Sequence, residues 1–258
     1  MRMLKRLISK GINAFGYDLK KIQLDELYNI AVELDSDEVE IIRFVLENNY
    51  TMTSVPRLVN TLKSCKYVVE NQIPGDFVEC GVWRGGNGIL AKKIFDKLGS
   101  DKKIWMFDTF NGMTAPSEFD VKNSTKVHAK IKYQETLTKT HSEWCYASID
   151  DVKNNFKDSS INLELIKFIK GDVSKTLLER DNLPNKIAVL RLDTDWYAST
   201  KTELEVLYPL LQTAGVLIID DYGHWEGARK AVDEYFKVQK NKPLFNVIDY
   251  TGRSALKL

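Results

Sequence analysis

The chain has 258 residues, 43% of them hydrophobic and 28% charged, with a formal net charge of +1. That length and apolar content suit one large α/β domain with an appendage. The balanced charge excludes the electrostatic footprint of a nucleic-acid-binding protein. Three cysteines without C-x-x-C spacing (Cys65, Cys80 and Cys145) argue against a disulfide framework or a zinc site and fit a cytoplasmic setting. Three histidines are too few for a histidine-rich metal site, and no apolar run approaches the length of a membrane span.

Residues 1–22 carry six Lys or Arg and one acid, Asp18. Leu4, Leu7, Ile8, Ile12 and Phe15 form the apolar stripe of a basic amphipathic arm, and Lys10 interrupts any signal-peptide core. Such an arm either docks on the body or on a second subunit, or makes a peripheral membrane contact. Residues 23–75 read as a helical layer. Asp35, Ser36 or Asp37 caps a helix carrying Val39, Ile42, Val45 and Leu46. Ser54 caps the next, with Pro56 in its first turn and Leu58, Leu62, Cys65, Tyr67, Val68 and Val69 along it.

From residue 76 the pattern changes to strand, turn and helix. Strands are expected over residues 76–80, 103–107, 163–169, 187–192 and 216–219, with helices over 89–98, 148–156, 199–211 and 226–238. A terminal hairpin pairs residues 245–248 with 254–257. Residues 109–147 form a long polar insertion, and connections of that length are lids or binding loops. The alternation predicts a doubly wound, mostly parallel α/β sheet.

Two of these strands end in paired aspartates, Asp193 with Asp195 and Asp220 with Asp221. Carboxyl ends of parallel strands face the crevice where open sheets bind ligands. Four carboxylates aimed at one spot repel one another, so a cation is the natural guest, or else they serve as helix caps and turn residues. The first strand runs into a turn of Gly81, Val82, Trp83, Arg84, Gly85 and Gly86. Its G-x-x-x-G-G spacing is neither the dinucleotide fingerprint nor a phosphate-binding P-loop. Glu79 precedes it and suits an amine or sulfonium rather than a phosphate. Asp108, ending the second strand, is placed for ribose hydroxyls, and Asp172, ending the third, for an adenine amino group. The ordered set favours an adenosine ligand lacking phosphate, which S-adenosylmethionine fits.

These motifs resemble those of the macrocin O-methyltransferase family, which acts on sugars of macrolides and related glycosides. The resemblance runs through residues 76–86, 108–113, 190–200, 207–211 and 218–223, with residues 50–54 matching the segment before the core. It implies a class I methyltransferase (Rossmann-like) fold with a seven-stranded sheet, S-adenosylmethionine, and magnesium or another divalent cation. By position it places the metal on Asp193, Asp220 and Asp221, with Asp193 also bordering the cofactor. Asp195 matches the general base, the roles of Asp193 and Asp195 being easily exchanged. Where family members often carry an acid after the tyrosine of this motif, this chain has Ala198.

A sugar hydroxyl needs activation before it can attack a methyl group, and a bound cation with a nearby carboxylate supplies it. Tyr50, Met52, Trp83, Trp196 and Tyr197 are candidates to wall the acceptor pocket, and His224 could touch the acceptor or serve as an alternative base. The 51–54 segment is expected to close over the cofactor. The expected acceptor is a small molecule or saccharide, and the expected assembly a homo-oligomer. A catechol-like or other vicinal diol explains the same aspartates. A nicotinamide-dependent oxidoreductase and a non-catalytic subunit keeping the fold are the other readings.

Overall fold

The computed structural model describes residues 31–258. Residues 40–258 form one compact unit, and residues 31–39 belong to another. The basic arm expected over residues 1–22 lies outside the described residues. Helix α1 (Ser36–Glu47) begins where Asp35 accepts from the Glu38 N–H, and Glu38 in turn accepts from the Asp35 N–H, both at 3.0 Å. This reciprocal arrangement satisfies two of the orphan donors of a helix start.

Helix α2 (Val55–Glu70) buries Val55, Leu58, Leu62, Cys65 and Val68 at helical spacing. Ser54 sits at its N-cap, as expected, but its hydroxyl does not cap the helix. It donates instead to the Asp249 carboxylate at 2.6 Å, a charged acceptor that outcompetes the helix start.

The sheet has seven strands: β1 (Asp76–Cys80), β2 (Ile104–Asp108), β3 (Ile166–Lys170), β4 (Ile187–Leu192), β5 (Leu211–Ile219), β6 (Asn246–Val247) and β7 (Arg253–Leu256). Their order is β3-β2-β1-β4-β5-β7-β6. The first five are parallel, and β7 runs antiparallel to β5 and to β6. This is the class I methyltransferase fold with its C-terminal antiparallel hairpin. The chain winds outward from β1 to β3 and then resumes at β4 on the other side of β1. The carboxyl ends of β1 and β4 therefore flank the switch point, where open α/β sheets hold ligands.

Around the sheet lie α3 (Gly86–Lys97), α4 (Ala129–Thr136), α5 (Ile149–Asp158), α6 (Val173–Thr176), α7 (Tyr197–Leu207) and α8 (Glu226–Lys237). Ser148 caps α5 in a full capping box with Asp151. The third strand starts three residues later than expected because Asn162 caps a 3-10 turn over residues 163–165. Helix α4 was not legible in the polar insertion. It is short, buries only Ala129 and starts on the His128 ring, whose Nδ1 accepts from Lys130 N–H at 3.0 Å.

The insertion is anchored rather than loose. Buried Asp120 accepts from the Tyr197 N–H at 2.8 Å, capping α7, and also from Ser117. A Cβ at Gly227 would lie 2.0 Å from the Asp120 carboxylate, so a larger residue there would have to displace Asp120 from Tyr197. The Glu226 N–H donates to the Val121 carbonyl and the Asn123 N–H to that of His224, both at 2.9 Å.

At the switch point Gly81 has φ +84, and a Cβ there would lie 1.9 Å from the Asp193 carbonyl oxygen. Backbone of the two strand ends is thus in direct contact. Gly81→Ala should lower stability by more than about 2 kcal/mol through left-handed strain and clash together. Urea denaturation of the full chain checks this, and a midpoint equal to wild type would contradict the close approach.

Candidate active site

The crevice is assembled around a charge the strand pattern hides. Arg191 is the penultimate residue of the otherwise apolar strand β4 and is fully buried. Its Nη1 donates to Glu79 at 2.9 Å and to Asp193 at 2.7 Å, and its Nη2 donates to Asp220 and to Thr53 Oγ1. Burial alone would lower the Arg191 pKa, but Asp193, Asp220 and Glu79 outweigh it and hold the group charged. A second guanidinium, Arg57 of α2, reaches the other oxygen of Asp220 and donates through Nε to Asp249 at 3.0 Å. The cation expected from the clustered aspartates is thus in part supplied by the chain.

Asp193, Asp220 and Asp221 nonetheless converge. One carboxylate oxygen from each lies within 4.8 Å of the others. Asp221 is 9% exposed and its Oδ2 has no hydrogen-bond partner among the described residues. Burial raises the Asp221 pKa well above the carboxylate range, and Asp195, Asp193 and Asp220 raise it further. Asp193 is pushed to about 6 by burial, with Arg191 pulling it back and Asp220 pushing it up. A buried carboxylate oxygen without a donor, among like charges, is the environment that a hard divalent cation relieves. The residues fit such an ion.

Asp195 stands beside this group with φ +67, a strained backbone for a residue other than glycine. Its Oδ1 accepts from the Trp225 indole N–H at 2.6 Å. Burial and then Asp193 raise its pKa well above the usual value, against the Trp225 hydrogen bond. His224 has its Nδ1 2.7 Å from the Tyr250 hydroxyl, and burial followed by Lys122 and Arg57 lowers its pKa to about 4. A neutral imidazole that weak is a poor proton acceptor near neutrality.

The glycine turn follows β1. Trp83 takes φ +46, and the Gly86 N–H donates to the Tyr50 carbonyl at 2.9 Å. Glu79 is 1% exposed, and its Oε2 lacks a partner while Oε1 holds Arg191. Burial lifts the Glu79 pKa to about 8 despite Arg191. An orphaned carboxylate oxygen below a tight glycine turn fits the ammonium end of an amino-acid-bearing cofactor. Asp108 accepts from Val82 N–H at 2.6 Å, Trp83 N–H at 3.1 Å and Phe110 N–H at 2.7 Å. It ties the turn to β2, and holding a ribose would require exchanging some of these bonds. The Arg84 guanidinium lies 5.9 Å from the Tyr50 ring centroid and 5.8 Å from that of Trp83. Beside it opens a cavity of 420 Å³ lined by Trp83, Arg84, Tyr146, Ala147, Asp151 and Asn155.

Other expected residues are placed elsewhere. Asp172 caps the short helix α6, accepting from Ser174 N–H and Oγ–H. Trp196 is 2% exposed, donates to the Thr114 carbonyl at 3.0 Å and packs against Trp144 and Trp225, which makes it a core residue rather than a pocket wall. Tyr197 braces α7 on α8 through Glu234 at 2.7 Å. Met52 is 39% exposed and Tyr50 buried. The segment expected to act as a lid is docked, with Thr53 Oγ1 accepting from Asn87 at 3.0 Å and from Arg191.

Sequence reasoning missed Arg191, Arg57, Asp249, Trp225 and Glu203. A lone arginine inside an apolar strand was a signal for the first, whereas Arg57 had none. Glu203 of α7 is fully buried and accepts from Thr194 Oγ1 at 2.8 Å, while its Oε2 has no partner. Burial pushes it to about 8, the Thr194 hydrogen bond opposing. Its folded pKa lies above its ordinary value near 4.5, so protonation favours the fold. That stabilisation is complete below the ordinary value and is lost as pH rises through about 8. Glu203→Gln should flatten the fall in stability across that window, measured by urea denaturation at several pH values, with Glu79, Asp193, Asp195 and Asp221 contributing a residual slope of the same sign. Arg191→Met, which leaves Glu79 and Asp193 without a guanidinium, should cost about 3–5 kcal/mol in the same assay.

Residues 34–254 match the family model described as macrocin-O-methyltransferase (TylF). A demethyldecarbamoylnovobiocin O-methyltransferase of Streptomyces niveus is 34% identical over 190 residues, which are 73% of this chain and 68% of that protein. An 8-demethyl-8-(2,3-dimethoxy-alpha-L-rhamnosyl)-tetracenomycin-C 4'-O-methyltransferase of Streptomyces olivaceus is 32% identical over 187 residues, 72% of this chain and 67% of that one. The solved structure of the O-methyltransferase NovP superposes with a TM-score of 0.71 at 30% identity, covering 81% of this chain and 82% of that chain. Matched along nearly the whole of its described length, the chain belongs to the macrocin-O-methyltransferase family and is an S-adenosylmethionine-dependent O-methyltransferase.

Proposed function

We propose that this enzyme methylates a sugar hydroxyl of a glycoside or other saccharide-bearing metabolite, using a divalent cation, magnesium by its all-oxygen ligands. The observation that carries the proposal is the convergence of Asp193, Asp220 and Asp221 within 4.8 Å, with a donorless Asp221 oxygen beside Asp195. The Streptomyces olivaceus relative is named for a 4'-O-methylation of a rhamnosyl compound, which supports a sugar as acceptor. Free Cys65, Cys80 and Cys145, two of them buried, support a cytoplasmic setting. No helix among the described residues is long and apolar enough to cross a membrane.

In this reading Glu79, Gly81 and Gly86 hold the amino-acid end of the methyl donor, and Asp108 its ribose. Asp193, Asp220 and Asp221 would hold the cation, which supplies a lowered pKa to a hydroxyl placed against it. Asp195 accepts the hydroxyl proton as the oxygen bonds to the methyl carbon. When bound, S-adenosylmethionine would supply the electrophilic methyl carbon in line with that oxygen and would carry away the carbon–sulfur electron pair as a thioether. Buried Arg191 keeps Glu79, Asp193 and Asp220 at fixed spacing through the reaction and exchanges no proton.

Purified protein should bind S-adenosylmethionine with micromolar affinity by calorimetry, roughly −8 kcal/mol. Asp221→Asn should keep that binding and its thermal midpoint but lose metal-stimulated turnover at least about tenfold. Full wild-type activity in a chelator would overturn the metal role. Asp195→Asn should lower kcat about 10²- to 10⁴-fold with the affinity for S-adenosylmethionine unchanged. A panel of methyl glycosides, methyl α-L-rhamnoside among them, and catechols tests the acceptor. Turnover of catechols and of no glycoside would overturn the sugar assignment.

A further inference from the structure

We infer that Trp225 is the positioning residue that aims Asp195 at the acceptor, and that the insertion between β2 and α5 holds Trp225 in place. The inference rests on the reading of Asp195 as the base. Trp225 immediately precedes α8 and lies 30 residues from Asp195 in the chain. Its indole N–H donates to Asp195 Oδ1 at 2.6 Å. With Oδ1 committed to the indole, Oδ2 is the oxygen left to take the acceptor proton. Asp195 adopts φ +67, a conformation that persists only where the surroundings enforce it.

The enforcing surroundings are aromatic. Trp225 is 6% exposed, and its ring centroid lies 5.1 Å from that of Trp196 and 6.0 Å from that of Trp144, the ring planes at 71° and 56°. Tilted and edge-to-face pairs of this kind add orientation to plain burial. Trp144 belongs to the insertion, and Trp196 donates to Thr114 of the same insertion. The backbone of Trp225 is clamped as well. It forms an antiparallel bridge with Lys122, and its N–H donates to the Asp221 carbonyl at 3.1 Å. The indole is thereby fixed from three sides, and one of those contacts is to a residue of the proposed cation site. A tryptophan serving only as a core plug needs its N–H satisfied by some acceptor. Here the acceptor is a carboxylate with left-handed backbone beside the aspartate cluster, and the insertion between β2 and α5 supplies the clamp.

Two measurements on the full chain test the inference. In the first, the protein is labelled at the indole nitrogens of its five tryptophans. The Trp225 N–H resonance, assigned by its loss in Trp225→Phe, should move more than any other indole in Asp195→Asn. An unmoved resonance would overturn the bond. In the second, Trp225→Phe keeps the ring packing and removes the donor. With methyl α-L-rhamnoside and S-adenosylmethionine, kcat should fall about 10- to 100-fold while both KM values stay within about threefold. Trp225→His, which restores a ring N–H, should recover part of kcat. The double variant Trp225→Phe with Asp195→Asn should be no slower than Asp195→Asn alone, since the two act as a unit. Wild-type kcat in Trp225→Phe beside an inactive Asp195→Asn would overturn the positioning role and leave the base standing. Full activity in Asp195→Asn would remove the base itself.

Discussion

A guanidinium taken wholly out of water at the centre of a parallel sheet costs several kcal/mol unless its protons are met by acceptors of opposite charge. In this protein Glu79 at the end of β1, Asp193 just past β4 and Asp220 just past β5 meet those of Arg191. Thr53, from the segment before α2, meets another. Four separate pieces of the chain are thus drawn to one point, and that point is the switch in strand order where the fold opens. The ion cluster is a constraint more than a source of stability. Replacing the whole cluster by apolar groups of the same volume would cost little, whereas removing Arg191 alone would take away the charge that sets the spacing of its carboxylates.

The same arithmetic separates the acids of the crevice into two kinds. Glu79, Asp193 and Asp220 each face a guanidinium, Asp220 facing both Arg191 and Arg57. Among the described residues Asp221 and Asp195 form no ion pair, and burial among like charges pushes their pKa values upward against the weaker pull of Arg57 on Asp221 and of Lys132 on Asp195. An acid left without a countercharge is placed either to take an external cation or to take a proton. The donorless Oδ2 of Asp221 suits the first use. The indole-bonded Asp195, beside it but turned by its left-handed backbone, suits the second.

The insertion between β2 and α5 links this chemistry to the outer part of the molecule. Asp120 caps α7, Val121 and Asn123 hold the start of α8, and Trp144 completes the tryptophan cluster. A segment with little periodicity of its own acquires order from those contacts. Those of its hydrogen bonds that leave the insertion run mostly to backbone groups of residues 197 and 223–226, which makes it a brace for the loops that follow the aspartates.

Periodicity and short-range spacing by themselves determined the strand and helix order, the parallel sheet with its terminal hairpin, the glycine turn, and the aspartates at strand ends. These follow from side-chain alternation, glycine geometry and the apolar runs of buried strands, all of which are local in the chain. The family was legible for the same reason, since its motifs are contiguous. Only the tertiary structure decided what the charges and rings do. Arg191 reaches Glu79 across 112 residues, Arg57 reaches Asp220 across 163, and Ser54 turns from its helix to Asp249 across 195. Trp196 and Tyr197, adjacent to the aspartates in sequence, are spent on packing, whereas Trp225, 30 residues on, holds Asp195. A buried polar group takes the partner that the packed chain brings within 3 Å or so, and no local pattern records which one that is.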